Sequence, residues 1–203
     1  YKARETSLND IPMVIGRTGW SGELSYELYL QNRKLGNKLF EIVHEAAKEF
    51  NASVIAPNTI RTIEGGLLSY QSDFGREHNP YTIGLDRLVD VDQDVDFIGK
   101  EALKKIKEDG ISEKLVGVEI DGDPIQKAPE NFWPVFDVNS NKIGRLSRCF
   151  YSPRLKKNIG LAIIDMKFTE PGTSLVIESP KAHLNAQVHE LPWFPAEKST
   201  NLD

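Results

Sequence analysis

From Lys114 onward the chain is a series of short strand-like runs: Leu115–Ile120, Val135–Val138, Lys142–Phe150, Ile159–Ile164, Ser174–Glu178 and Leu184–Leu191. Gly, Pro and Asn separate them at near-regular spacing. Strands this short are not stable alone, so a set of six must pack on itself. The rhythm predicts a small antiparallel barrel or sandwich. The texture ahead of it is different. Met13-Val14-Ile15 and the alternating run Ser25–Leu30 read as two strands around a turn punctuated by Gly16, Gly19 and Gly22. An amphipathic helix is expected over about 33–50, with Leu35, Leu39, Ile42, Val43, Ala46 and Phe50 on one stripe. A second is expected over about 58–69, weakened by Gly65-Gly66, and a short third over 100–107 behind Gly99. The fold class is therefore α+β. The change of texture at 109–113 divides the chain into 1–112 and 113–203.

Alternation within Ser25–Leu30 places Tyr26, Leu28 and Leu30 on one face, expected to be core. Ser25, Glu27 and Tyr29 share the other, which sets a carboxylate beside a phenol.

Composition closes off several functions. The 203 residues allow one full domain or two small ones, and a chain this long needs no disulfide or metal staple. Thirty acidic against 25 basic residues give a net charge of −5, unlike the clustered basic footprint of a nucleic-acid binder. No apolar run reaches the ~18 residues of a membrane helix, and no signal-peptide pattern is present, so a cytoplasmic protein is expected. The single cysteine, Cys149, excludes an internal disulfide and a cysteine zinc cage; it reads as a buried, inert thiol in a strand.

The motifs that attract attention mostly fail on chemistry. Asp90, Asp92, Asp94, Asp96 and Glu101 imitate a calcium loop, but its sharp turn would fall on Val95, whose branched Cβ resists positive φ. Val91, Val95 and Phe97 look instead like residues of an exposed edge strand. Gly16, Gly19 and Gly22 have the wrong spacing for a dinucleotide cradle and lead into a strand, not a helix. The four histidines, at 44, 78, 183 and 189, have no metal-ligand spacing, and His44 reads as a surface or rim residue of a helix. Trp20, Glu27 and Tyr29 remain. A rim aromatic plus a surface carboxylate is the plain reading of these three. The functional one is a site for a flat polar heterocycle, with a carboxylate accepting charge-assisted hydrogen bonds from ring-edge N–H groups beside aromatic faces.

The segment Arg17-Thr18-Gly19-Trp20-Ser21-Gly22-Glu23-Leu24-Ser25-Tyr26-Glu27-Leu28 resembles the R-T-G-[YW]-[TS]-G-E-x-x-Y-E signature of the aminomethyltransferase (glycine cleavage T-protein) superfamily. The resemblance continues, in order, through Ile63–Tyr70, Asn79-Pro80-Tyr81, Asp96–Leu103, Tyr151–Gly160 and Glu190–Phe194. It implies the C-terminal part of a folate-binding α+β domain over 1–112, and the family's small antiparallel β-barrel over 113–203. It also implies tetrahydrofolate, whose N5 accepts a one-carbon unit. Glu27 matches the glutamate that hydrogen-bonds the pterin, and Trp20 the aromatic lining that cavity. Asn58 falls where glycine-cleavage members place a folate-site arginine, and Thr62 takes a second arginine position, with Arg61 one place off. Asparagine cannot replace a bidentate guanidinium. With Trp20 and Tyr29, that departure resembles the dimethylsulfoniopropionate demethylase branch, which moves a methyl group from a small sulfonium to tetrahydrofolate.

The expected folate-binding residues are thus Trp20, Glu27, Tyr29 and Asn58. No catalytic residue and no metal ligand is assigned, because the family's functional aspartate belongs ahead of Tyr1. The expected partners are folate and a small methyl donor, with a homodimer left open. A lipoyl carrier protein enters only under the alternative of a glycine-cleavage aminomethyltransferase. A non-catalytic folate-binding accessory protein is the second alternative, and its K-G-C-Y-x-G-Q-E segment is poorly matched by Leu67–Asp73.

Overall fold

The computed structural model describes residues 2–20, 22–56 and 58–194. Ser21 and Pro57 of the motifs quoted above, and the end of the expected second domain, lie outside the described residues.

The first compact unit falls within Tyr1–Asn58. Strands β1 (Ala3–Leu8) and β2 (Ile11–Gly16) form a hairpin turning on Asn9 and Asp10, at φ 47° and 61°. Two-residue hairpins favour positive φ at both central positions, and Asn and Asp tolerate it best after Gly. β3 (Glu27–Leu30) pairs antiparallel with the other edge of β2, giving the order β1-β2-β3. The expected helix at 33–50 is present: α1 (Gly36–Ala47) flanked by 3₁₀ turns at Arg33–Leu35 and Lys48–Phe50. Asn32 caps the entrance, its side chain accepting from the N–H of Lys34 at 3.1 Å. α1 sets Leu39, with Leu35 and Ile42, against Ile11, Met13 and Leu30.

One expectation fails here. Of the face assigned to the core, only Leu30 packs; Tyr26 and Leu28 are exposed. β3 begins at Glu27, so Tyr26 lies outside the sheet, and β3 is an edge strand. The α1 cluster gathers the Leu30 end of that face and leaves the Tyr26–Leu28 end open.

The second compact unit falls within Thr59–Pro195. Its first helix, α2 (Thr59–Glu64), stops five residues short of the expected end. Gly66 adopts φ 62°, and the N–H groups of Gly66 and Leu67 bond back to the carbonyls of Ile63 (3.0 Å) and Thr62 (2.7 Å). That pair of bonds closes a helix through a left-handed residue, a conformation that costs glycine least. Helix α3 (Lys100–Asp109) follows Gly99 as expected. The acidic run ahead of α3 forms no strand, contrary to the edge expected at Val91, Val95 and Phe97. Asp90 and Asp96 accept from nearby backbone N–H groups, Lys107 meets Asp92 at 3.2 Å, and Lys100 donates to the carbonyls of Gln93 and Val95. Among the described residues no group of three or more His, Cys, Asp or Glu could hold a metal ion.

Strands β4 (Glu113–Ile120), β5 (Trp133–Phe136), β6 (Lys142–Ser152), β7 (Lys157–Asp165), β8 (Ser174–Glu178) and β9 (His183–His189) close into an antiparallel barrel, order β4-β7-β6-β5-β8-β9. Two strands end earlier than expected. β5 ends before Val138 because Asp137 turns the chain, accepting from the N–H groups of Asn139 (2.9 Å) and Asn141 (2.8 Å). β9 ends at His189, not Leu191. The barrel is filled by Val118, Val135, Leu146, Ile164, Ile177 and Cys149, all buried. α2 covers the outside of β7, where Ile63 packs on Ile159 and Leu161. β7 therefore reads as an almost unbroken apolar run, Ile159–Ile164, buried on both faces.

Burial in this core pushes the Cys149 thiol up to about 12 from an ordinary 9.0. The neutral thiol favours the folded state fully below pH 9.0, and that contribution is lost as the pH rises toward about 12. At pH 8 the folded protein should leave a disulfide thiol reagent unreacted, with one equivalent consumed after denaturation. Rapid reaction of the folded protein would contradict this burial.

No helix among the described residues is long and apolar enough to cross a membrane.

Candidate functional site

The sheet of the first unit has one face turned to α1 and one left open. In register, Gly16 lies across from Glu27 and Val14 across from Tyr29. Strand alternation puts Val14, Gly16, Glu27 and Tyr29 on the open face. This is the pairing the sequence predicted for the carboxylate and the phenol.

Glu27 is exposed, yet its carboxylate is held. Its Oε2 accepts from the Tyr29 hydroxyl at 2.9 Å and from the Thr18 hydroxyl, which reaches back from the turn after β2. The Thr18 hydrogen bond first, and the Tyr29 one second, lower the Glu27 pKa from its ordinary 4.5. Both donors favour the charged form. Gly16 provides the room: a Cβ there would stand 3.1 Å from Thr18 Oγ1 and 3.2 Å from Tyr29 Cε2. The turn is further tied by Ser25, whose hydroxyl donates to the carbonyls of Thr18 (3.1 Å) and Glu23 (3.3 Å).

Of the four residues picked from sequence, the hydrogen bonds join Glu27 and Tyr29. Trp20 stands on the same turn, 57% exposed, with its ring open to solvent. Asn58 is exposed and lies immediately ahead of α2. Thr18 was overlooked as a partner, although it sits inside the quoted signature. A threonine two residues past a strand carries no signal until the register shows that the turn folds back on Glu27.

A second polar cluster was not read from sequence at all. Asp73, fully buried, accepts from Arg148 Nε (2.7 Å) and Nη2 (2.6 Å), from Ser147 Oγ (2.8 Å) and from the N–H of Ser69 (2.7 Å). Arg148 also donates to Thr62 Oγ1 (3.0 Å) and to the carbonyl of Leu67 (2.9 Å). Beside it, buried Glu64 accepts from Ser152 Oγ at 2.6 Å, with Arg61 3.5 Å from its other oxygen. These bonds clamp the 59–74 segment to β6. The Arg148 guanidinium is spent on partners inside the cluster, which makes it architecture and not an open binding site. The available hint was a pair of charges, Arg145 and Arg148, set inside the strand run Lys142–Phe150.

The fold is that of a known family. A model of the GCVT N-terminal domain matches residues 1–93, and one of the glycine cleavage T-protein C-terminal barrel domain matches residues 113–195. Together they account for most of the chain, which belongs to the glycine cleavage T-protein family. An aminomethyltransferase of Geobacillus sp. (strain WCH70) is 36% identical over 198 residues, covering 96% of this chain and 52% of the relative. The dimethylsulfoniopropionate demethylase DmdA of Ruegeria pomeroyi is 28% identical over 195 residues, covering 95% and 52%. The chain thus spans about half the length of the curated relatives it matches. In three dimensions it is similar to the glycine cleavage system aminomethyltransferase T of Bartonella henselae, with a TM-score of 0.78 at 20% identity. That match covers 91% of this chain and 50% of the other, and it establishes the shared fold.

Proposed function

We propose that the protein is a tetrahydrofolate-dependent one-carbon transferase in which Glu27 holds the pterin. The observation that carries this reading is the Glu27 carboxylate, held by hydrogen bonds from Thr18 and Tyr29 on an exposed sheet face. The residues present fit the family's cofactor. A pterin edge offers adjacent N–H donors, and among the described residues Oε1 of Glu27 has no hydrogen-bond partner to compete with them. Trp20 and Tyr29 add half-exposed aromatic faces on which a flat ring can stack. When bound, tetrahydrofolate supplies the N5 that accepts the one-carbon unit. The chain's own contribution is to bind and orient that ring. Asn58 would flank the site without the anion-clamping charge of an arginine.

The finer reading is a demethylase that takes a methyl group from a small donor such as dimethylsulfoniopropionate. It is supported by Asn58 and Thr62 in place of arginines, by Trp20 and Tyr29, and by the similarity to DmdA. A sulfonium is already a good leaving group, so the protein need only align donor and acceptor and exclude water. The second reading, a glycine-cleavage aminomethyltransferase served by a lipoyl carrier protein, is favoured by the higher identity to the Geobacillus relative. In both readings residues 1–112 belong to the folate-binding domain and 113–203 to the barrel domain.

The donor experiment separates them. The intact protein is incubated with tetrahydrofolate and either dimethylsulfoniopropionate or an aminomethyl-lipoyl carrier protein. Methyl-tetrahydrofolate formed with the first donor alone is the expected result. Methylene-tetrahydrofolate formed with the second alone would overturn the demethylase reading and leave the family chemistry standing.

A further inference from the structure

The Glu27 carboxylate is occupied unevenly. Both of its partners, Thr18 and Tyr29, donate to the same oxygen, Oε2. A carboxylate oxygen has two lone pairs, so Oε2 is filled by these two donors, and among the described residues nothing donates to Oε1. The arrangement comes from two independent parts of the backbone. Tyr29 is two residues along β3 and shares the strand face, while Thr18 comes from the far side of the turn, nine residues back. The two side chains converge over Gly16, the one position across from Glu27 where a side chain would press on both.

We propose that Thr18 and Tyr29 are positioning residues that hold Glu27 by one oxygen, Oε2, and so fix the orientation in which its carboxylate, with Oε1 outward, meets ligand. This rests on the reading of Glu27 as the pterin carboxylate and adds to it what orients that carboxylate. Thr18 also explains why a carboxylate on an exposed strand should have one orientation at all: free glutamate side chains lose considerable rotamer entropy when fixed, and here the hydroxyl pair has already fixed it.

The test uses the intact protein and two readouts. The first is the titration of the Glu27 carboxyl followed by carbon NMR, without ligand. The second is the affinity for tetrahydrofolate. Thr18→Val should raise the Glu27 pKa toward 4.5, and should weaken tetrahydrofolate about three- to tenfold by releasing the carboxylate, less than the loss of a full charged hydrogen bond. Thr18→Ser, which keeps the hydroxyl, should restore both; a residue with a merely structural role in the turn would not move the titration. Tyr29→Phe should shift the titration in the same direction. An unchanged Glu27 titration in Thr18→Val and Tyr29→Phe overturns the proposal, whatever happens to binding. Glu27→Gln tests the underlying reading separately. If that variant binds tetrahydrofolate as tightly as the parent, the functional reading fails, while the titration still decides what orients Glu27.

Discussion

Arg148→Met is expected to destabilise the protein by about 3–5 kcal/mol, because it strips from a buried carboxylate the only counter-charge it has among the described residues. Asp73 has no exposure to solvent and would be left with two hydrogen bonds, from Ser147 and Ser69. At ~2–4 °C per kcal/mol for a chain of this size, the melting midpoint should fall by about 6–20 °C. The loss should come mostly from the stranded charge and not from the pair itself. A double variant, Asp73→Asn with Arg148→Met, should therefore recover a substantial part of the stability lost in the single one. The two residues touch, so their effects should not add. Thermal melts of the two single variants and the double variant decide it. A single-variant loss below about 1 kcal/mol, or strict additivity, would contradict the clamp.

The second large effect concerns binding. Glu27→Gln keeps the size of the side chain and removes its charge, turning one acceptor oxygen into a donor amide. Charge-assisted hydrogen bonds are about twice as strong as neutral ones, so tetrahydrofolate affinity should fall about ten- to hundredfold. Stability should hardly change, since Glu27 is exposed and its bonds lie on an open face. The pH dependence has a definite sign. The Glu27 pKa is lowered below its ordinary 4.5, so the carboxylate is charged at neutral pH. Its contribution to binding should be present at neutral pH and lost as the pH falls through the lowered value.

Much of this architecture was legible because it is local. The 33–50 helix announced itself through the spacing of Leu35, Leu39 and Ile42, and the capping Asn32 sits where such a helix should begin. The barrel was legible from the near-regular spacing of its short strands and the turn residues between them. What escaped depended on distant partners. β1 was missed because Ala-Arg-Glu-Thr has no apolar alternation; it is a strand because β2 lends it a register. Tyr26 and Leu28 look like core by period, but α1 gathers only the other end of that face. Asp73 and Arg148 are 75 residues apart in the chain, and nothing near either one names the other.

The candidate site divides in the same way. Glu27 and Tyr29 could be paired from alternation alone, and the register puts them together. Thr18 could not be paired this way, because a turn has no period. The resemblance to the family suggested a role for Glu27, and the side-chain geometry supplied a reason for its orientation. The donor is the least legible element, since the proposal for it rests on arginines absent at Asn58 and Thr62.

The account stands on Glu27 as the carboxylate that holds folate, and a direct titration tests it. Tetrahydrofolate is added to the intact protein while tryptophan fluorescence is followed, with Trp20→Phe assigning the signal to the turn. The account predicts a saturable response that is lost in Trp20→Phe and moves to higher concentration in Glu27→Gln. A response that never saturates, or one with the same midpoint in Glu27→Gln as in the parent, would contradict it.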